Sequence, residues 1–306
     1  MRVFVTGASG HIGSALVPEL VGNGHQVVGL ARSDRSAAAL EAAGAEAWRG
    51  DLDDLDGLRA AAAATDGVVH LAFKHEAMAT GDYLSAIADD LKAIEAMGAA
   101  LDGTGKPFVG TSGTLMLAFG GVKGRAGTER DVVTGGPRVD AENTVTGFAE
   151  RGIRSSIIRL SPLVHSSLDH HGFAHMLIGI ARAKGVSGFV GDGANRWPAV
   201  HTLDAARLYR LALESAPAGS RLHGVGDEGV PFRQIAEVIG HRLNLPTASI
   251  EPPDAGEHFG FLGALVGLDN PTSNLLTREL LGWEPAHVGL LDDLTHGHYF
   301  DGVSSS

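Results

Sequence analysis

Three observations predict an α/β fold, a doubly wound parallel sheet with a small C-terminal substrate-binding region. Short apolar runs alternate with helix-length segments, a glycine-rich turn follows the first run directly, and the fourth run is apolar without a break. The candidate strands are Arg2–Thr6, Gln26–Leu30, Glu46–Trp48, Val68–Ala72, Pro107–Thr111 and Ser155–Leu160. Between them, segments such as Ser14–Gly22 and Leu84–Leu101 repeat apolar residues at three- and four-residue spacings, the mark of a helix with one buried face. Val68-Val69-His70-Leu71-Ala72 lacks the alternation of a half-exposed strand and suits one covered on both faces.

The rhythm breaks after Leu160. A His-rich loop leads into a helix over Phe173–Ala183, a strand, turn and helix occupy Arg196–Leu213, and Pro231–Leu243 reads as a helix with Pro in its first turn. This predicts a dinucleotide-binding domain over 1–165 with a return segment at 196–225. Residues 166–195 and 226–306 then form the substrate-binding region. The ten-residue stretch Phe259–Leu268 reads as an apolar wall or lid over the substrate cleft, or equally as a dimer contact.

Composition narrows the function. A net charge of −12 over 306 residues argues against a nucleic-acid partner, which calls for a basic face. With no Cys, disulfides, thiolate nucleophiles and thiolate metal sites are excluded. The opening run Val3-Phe4-Val5 is too short for a secretory signal, and Phe259–Leu268 falls well short of the ~20 apolar residues of a spanning helix. The expectation is a cytoplasmic protein with no membrane partner, acting on a small molecule.

Thr6-Gly7-Ala8-Ser9-Gly10-His11-Ile12-Gly13 stands between a strand and a helix, the context in which a glycine-rich loop binds a dinucleotide in a Rossmann fold. Gly7 permits the tight turn, Gly10 lets backbone N–H groups approach a pyrophosphate, and Gly13 lets helix and strand pack closely. The helix N-terminus adds free N–H donors and partial positive charge. At the end of the second strand an enzyme using NAD would carry an acidic residue for the ribose 2′-hydroxyl. This chain has Ala31-Arg32-Ser33-Asp34-Arg35, whose guanidiniums and hydroxyl suit a 2′-phosphate. NADP is therefore expected ahead of NAD.

These residues resemble the short-chain dehydrogenase/reductase superfamily, in its extended and atypical, NAD-dependent epimerase/dehydratase-like branch. The resemblance runs over nearly the whole chain. Beyond Thr6–Gly13, Asp51-Leu52 looks like the pair that meets the adenine ring. His70-Leu71-Ala72-Phe73 is similar to the fourth-strand motif beside the cofactor ribose, and Thr111-Ser112-Gly113-Thr114 to the fifth-strand serine motif. Arg159–His165 resembles the segment near the nicotinamide and implies Ser161 there. Gly191–Asp204 and Leu281–Pro285 match two C-terminal signatures. The resemblance also implies cofactor contacts at Ser9, His11, Ile12, Leu71, Ala72, Phe73 and Thr111, and a homodimer.

One motif departs from the family. The superfamily's Tyr-x-x-x-Lys pair moves the proton that accompanies hydride transfer, yet Tyr83, Tyr209 and Tyr299 are followed four residues on by Ile87, Leu213 and Val303. Aligning Glu142 with the family's helix puts Thr134 in the Tyr slot and Arg138 in the Lys slot. A Thr hydroxyl is too weak an acid for the task near neutral pH, and Arg138 can hold ribose hydroxyls but does not shuttle protons. Histidine is the natural substitute. His75, His165, His170 and His171 lie on segments that the resemblance places near the nicotinamide; His75, His165 and His171 are the candidates, with Ser112 available to a substrate carbonyl. Asp169, His171 and His175 supply metal-ligand types, but no Glu follows the first His, the H-E-x-x-H pattern is absent, and no metal is expected.

The expected activity is hydride transfer between NADP(H) and a small or medium apolar aldehyde, ketone or alcohol. A non-catalytic NADP(H) sensor is the rival, and a nucleotide-sugar epimerase or dehydratase is disfavoured by the missing Tyr. Replacing Arg32 by Ala should weaken NADPH binding at least ~10-fold while leaving NADH nearly unaffected, since it removes a charge-assisted bond to the 2′-phosphate alone. Equal shifts in the two dissociation constants, measured by fluorescence titration, would refute the preference.

Overall fold

The structure is a computed structural model of the chain, and it describes residues 1–75, 82–136 and 138–300. Seven parallel strands form the main sheet: β1 (Arg2–Thr6), β2 (Gln26–Ala31), β3 (Glu46–Arg49), β4 (Gly67–His70), β5 (Pro107–Gly113), β6 (Arg154–Leu160) and, late in the chain, β10 (Ser220–Gly224). Their order is β10-β6-β5-β4-β1-β2-β3, so the direction of winding reverses between β1 and β4. The register places Phe4 of β1 between Val28 of β2 and Val68 of β4. The six strands read from the sequence are all present, most of them one or two residues longer or shorter. The seventh, β10, lies inside the expected return segment.

Helices α1 (His11–Gly22), α2 (Asp34–Ala42), α3 (Leu55–Ala63), α4 (Tyr83–Ala99), α5 (Leu115–Phe119) and α6 (Val139–Gly147) follow the strands in turn. Strand residues send alternate side chains to the two faces of the sheet. One core joins Val3 and Val5 to Leu16 and Leu20 of α1 and to Leu208 and Tyr209 of α8 (Thr202–Ser215). The other joins Phe4, Val68 and Phe108 to Leu58 of α3, Met97 of α4 and Val145 of α6.

The remaining elements build a second, smaller body. β7 (Leu163–His165), β9 (Arg196–His201) and β11 (Asp227–Pro231) form a three-stranded sheet, and β8 (Ser187–Val190) pairs with β12 (Thr247–Ile250). A third core packs α7 (Phe173–Lys184) and α9 (Phe232–Leu243) against α10 (Ala255–Phe259) and α12 (Leu290–His296) around the buried Trp197. Pro231 is the residue before α9, one position earlier than expected. Phe259–Leu268 is neither a wall nor a lid: Phe259, Leu262 and Val266 are buried in this third core, leaving Phe261 exposed. α11 (Leu275–Leu281) leads back to Trp283, which is buried in the first core.

A charged pair is buried beneath the sheet. Arg159 of β6, 0% exposed, donates through Nε to both oxygens of Glu142 on α6 at 3.1 Å, and through an Nη to the Asp131 carbonyl at 2.8 Å. Arg221 also donates to Glu142, at 3.2 Å. His223 completes the group. Its Nδ1–H donates to the Ser273 carbonyl at 2.7 Å, which leaves Nε2 to accept from Arg159 at 3.3 Å. Burial is the main reason its pKa falls from 6.5 to about 4.

Because the folded-state pKa is depressed, the unfolded chain binds the extra proton first, so this contribution to stability is complete above pH 6.5 and is lost as pH falls toward 4. The window corresponds to about 3 kcal/mol. Chemical denaturation of His223→Gln across pH 4 to 7 should show a shallower loss of stability than the parent chain. Identical slopes would remove His223 as a source of acid sensitivity.

Candidate functional site

Ligands of open α/β sheets bind beyond the carboxyl ends of the strands, where the winding reverses. Here that point lies between β1 and β4, and the glycine turn occupies it. Gly7 has φ +68°, and a Cβ there would sit 2.8 Å from the Ala72 nitrogen. A Cβ on Gly13 would meet the Gly7 oxygen at 2.2 Å, so the turn closes only without it. Gly10 differs. It is exposed, and its Cβ would touch only the Gly7 oxygen, at 3.2 Å. It is also the N-cap of α1 with no side-chain cap, so the first N–H groups of the helix, at His11, Ile12 and Gly13, face an exposed cradle beside Ser9. That cradle fits a pyrophosphate.

At the end of β2, Arg32 is exposed and Ser33 is the N-cap of α2. The Ser33 hydroxyl accepts from the Ser36 nitrogen while the Ser36 hydroxyl accepts from the Ser33 nitrogen, so Ser33 is first of all a helix cap rather than a free phosphate ligand. Asp34 pairs with Arg49. Asp51 accepts from the Asp53 and Asp54 nitrogens, shaping the turn that lays Leu52 against the core beside Leu30. Lys74 spans from the β4 end to Asp53 and Asp89, at 2.7 and 2.6 Å.

The carboxyl ends of β4 and β5 are organised by a hydrogen-bonded chain. The Ala72 N–H donates to the Thr6 hydroxyl at 3.2 Å, and that hydroxyl meets His70 Nδ1 at 2.7 Å. His70 Nε2 donates to Asp90 on α4 at 3.0 Å, since a carboxylate accepts. Arg138 donates to the other Asp90 oxygen at 3.4 Å and to the Thr111 carbonyl at 3.3 Å. Its guanidinium lies 4.2 Å from the centre of the Phe73 ring. Arg138 thus stands at the carboxyl ends of β4 and β5.

Sequence reasoning missed the neighbour of that cation. The Tyr83 ring, in the first turn of α4, lies 6.2 Å from Phe73. Burial raises its pKa, the Arg138 charge opposes the rise and Asp90 adds to it. Tyr83 was set aside because Ile87 follows at the Lys spacing. Tyr83 and Arg138 both approach the Phe73 ring from segments far apart in the chain, a proximity that no spacing rule in a single segment reveals.

Several expected residues do other work. The Thr111 hydroxyl donates to the His70 carbonyl at 2.7 Å and pairs with the buried Tyr209 at 2.8 Å, so it is engaged within the fold. Ser112, the next strand residue, points to the opposite face; it is 5% exposed and lies beside Glu142, away from any open cleft. Ser161 donates to the Gly224 carbonyl at 2.9 Å and ties β6 to β10. His165 is 1% exposed on β7, with Nδ1 bonded to Asp293 at 2.8 Å. Out of reach of a substrate, it is a structural histidine.

His171 is exposed on the loop before α7, and its N–H donates to Asp169 at 3.3 Å. His75 is exposed beside Phe73, with the two rings 5.3 Å apart, and of the three histidine candidates it alone lies at the Arg138 end. His11 turns away from the cradle and binds the Thr202 hydroxyl through Nε2 at 2.7 Å; only its backbone N–H remains for a phosphate. No described helix is long and apolar enough to cross a membrane.

Comparison with known proteins agrees with this geometry. A family model described as NAD(P)H-binding matches residues 7–109. An uncharacterized protein of Schizosaccharomyces pombe is 47% identical, covering 98% of this chain and 100% of its own. One of Saccharomyces cerevisiae is 43% identical over 96% of this chain and 98% of its own. The sterol-4-alpha-carboxylate 3-dehydrogenase (decarboxylating) of Dictyostelium discoideum is 27% identical over 76% of this chain and 74% of its own. Among solved structures, the dTDP-glucose 4,6-dehydratase of Streptomyces venezuelae, with NAD and TYD bound, shares the fold with a TM-score of 0.75. It is 20% identical and covers 96% of this chain and 95% of its own.

The two inner glycines should separate folding from binding. Gly13→Ala should lose about 3 kcal/mol or more of stability, because backbone occupies the space of the new Cβ. Gly10→Ala should unfold near the parent midpoint in urea yet bind NADPH at least ~100-fold more weakly, equivalent to two or more backbone hydrogen bonds. Retained affinity in Gly10→Ala would overturn the cradle.

Proposed function

We propose that this chain, which belongs to the extended, epimerase/dehydratase-like branch of the short-chain dehydrogenase/reductase superfamily, is an NADP(H)-dependent oxidoreductase acting on a small or medium apolar aldehyde, ketone or matching alcohol. The observation that carries this reading is the placing of Arg138 over Phe73, at the same carboxyl edge of the sheet as the uncapped start of α1. When bound, the nicotinamide supplies or accepts the hydride.

The chain's own groups have separate tasks. The first N–H groups of α1 bind the phosphates. Arg32, at the end of β2, answers a 2′-phosphate, and no carboxylate stands at Ala31 to receive a 2′-hydroxyl. Arg138, fixed by Asp90 and the Thr111 carbonyl, holds ribose hydroxyls as a permanent cation. Tyr83 handles the proton: burial keeps its O–H protonated, it donates to the carbonyl oxygen during reduction, and the Arg138 charge offsets part of the cost of the phenolate left behind. His75, exposed next to Phe73, returns the proton from solvent.

The S. cerevisiae and S. pombe relatives give no substrate. The sterol dehydrogenase named above supports oxidoreduction of an apolar molecule, whereas the dehydratase neighbour supports the fold alone.

Stopped-flow oxidation of NADPH against a panel of aliphatic and aromatic aldehydes tests the reading. Turnover is expected, with Tyr83→Phe lowering kcat about 10²-fold and leaving the NADPH dissociation constant unchanged. An unchanged kcat would remove Tyr83 as proton donor. Tight NADPH binding with no turnover across the panel would make the chain a cofactor sensor instead.

A further inference from the structure

Behind the phosphate cradle, on the α7 side, lies a group of imidazoles for which the proposed reaction has no use. Among the described residues, His170, His175 and His298 each bring one ring nitrogen within 4.8 Å of the other two. They come from the loop before α7, the first turn of α7, and a 3₁₀ turn over His298–Phe300. The ring centres are 5.6 Å apart for His175 and His298, 5.9 Å for His170 and His298, and 6.5 Å for His170 and His175. The sequence had offered Asp169, His171 and His175 instead. Chain folding replaces His171 by its neighbour and adds a residue from the far end of the chain.

The protons on these rings are fixed by one acceptor. His175 Nε2 lies 2.7 Å and His298 Nε2 2.9 Å from the Asp169 carbonyl oxygen. A carbonyl only accepts, so both Nε2 atoms carry their hydrogens, and in the neutral rings Nδ1 is a bare lone pair. The Nδ1 of His298 is buried and has no hydrogen-bond partner. A buried acceptor left unpaired costs free energy comparable to a lost hydrogen bond, and a cation removes that cost.

The arrangement also has its outer support. Histidines that ligate a metal usually donate their other N–H to a carboxylate or a backbone carbonyl, which fixes both tautomer and orientation. Here one carbonyl does this for two rings, and its own residue is anchored. Asp169 is 0% exposed; its carboxylate accepts from the Gly172 nitrogen at 2.7 Å and from the Tyr299 hydroxyl at 3.0 Å.

We propose that His170, His175 and His298 form a site for a single divalent transition-metal ion of the zinc class, with a further coordination position open to solvent beside the exposed His170. Neutral imidazoles without a ligating carboxylate suit zinc, cobalt, nickel or copper and not magnesium or calcium, which take oxygen ligands. Three nitrogen ligands and an open position are the donor set of zinc sites that hold water or a small anion. The site is independent of the proposed oxidoreductase activity. Among the described residues it approaches the proposed cofactor cradle through His11, whose Nδ1 lies 3.9 Å from Asp169.

The test uses the full-length chain stripped with chelator and titrated with Zn²⁺ by calorimetry and with Co²⁺ by visible absorption. One ion should bind per chain, with a cobalt spectrum of nitrogen and oxygen ligation and no competition from a large excess of Mg²⁺. His170→Ala, an exposed position chosen to leave the fold intact, and His298→Asn should each weaken Zn²⁺ binding at least ~30-fold. NADPH affinity, read on the same samples, should not change. Absence of saturable Zn²⁺ binding, or equal affinity in the parent chain and in a folded His170→Ala variant, would overturn the site.

Discussion

The whole arrangement rests on backbone atoms touching where β1 gives way to α1. A Cβ on Gly13 would be 2.2 Å from the Gly7 oxygen, and one on Gly7 would be 2.8 Å from the Ala72 nitrogen. Two chain segments and a helix start therefore share a volume that holds no side chain. Because that contact brings the end of β4 against the turn, it also sets where Phe73 and Lys74 emerge. The glycine turn that would cradle a phosphate is thus, at the same time, the hinge-pin that aligns the end of β4.

A second constraint acts at Arg138, which has φ +62°, one of two non-glycine residues with positive φ among the described residues. Such a conformation costs on the order of 1–3 kcal/mol and persists only when its surroundings hold it. Asp90, the Thr111 carbonyl and the Phe73 ring do so from three different elements. The strained cation and the histidine-linked chain from Thr6 to Asp90 form one unit. It joins the turn after β1 to the carboxyl ends of β4 and β5.

Much of the fold was legible because its signals are local. Glycine spacing, apolar runs and the motif series lie within a few residues of one another, and the strands followed. Site roles were less legible where a partner lies far along the chain. Tyr83 and Arg138, 55 positions apart, approach the same Phe73 ring, and His170 and His298 meet across 128 positions; neither proximity leaves a trace in spacing. Ser112 failed for a reason that was readable. Strand alternation sends it to the face opposite Thr111, into the Arg159–Glu142 pair. His165 failed because its strand leaves the main sheet for the small one, where Asp293 takes its Nδ1. The Phe259–Leu268 stretch has the composition of a lid, but α7 and α9 had an apolar face to cover.

The passage of the chain between its two sheets bears on how such a protein can change over evolutionary time. It leaves the main sheet after Leu160, returns at Thr202 to lay α8 on the first core, contributes β10, departs after Gly224 and comes back once more to bury Trp283. The smaller body is therefore sewn to the larger by repeated stitches and not hung from one linker. Such a region cannot be exchanged as a cassette between relatives. New substrates have to be reached by altering residues in place, with every change answerable to both cores.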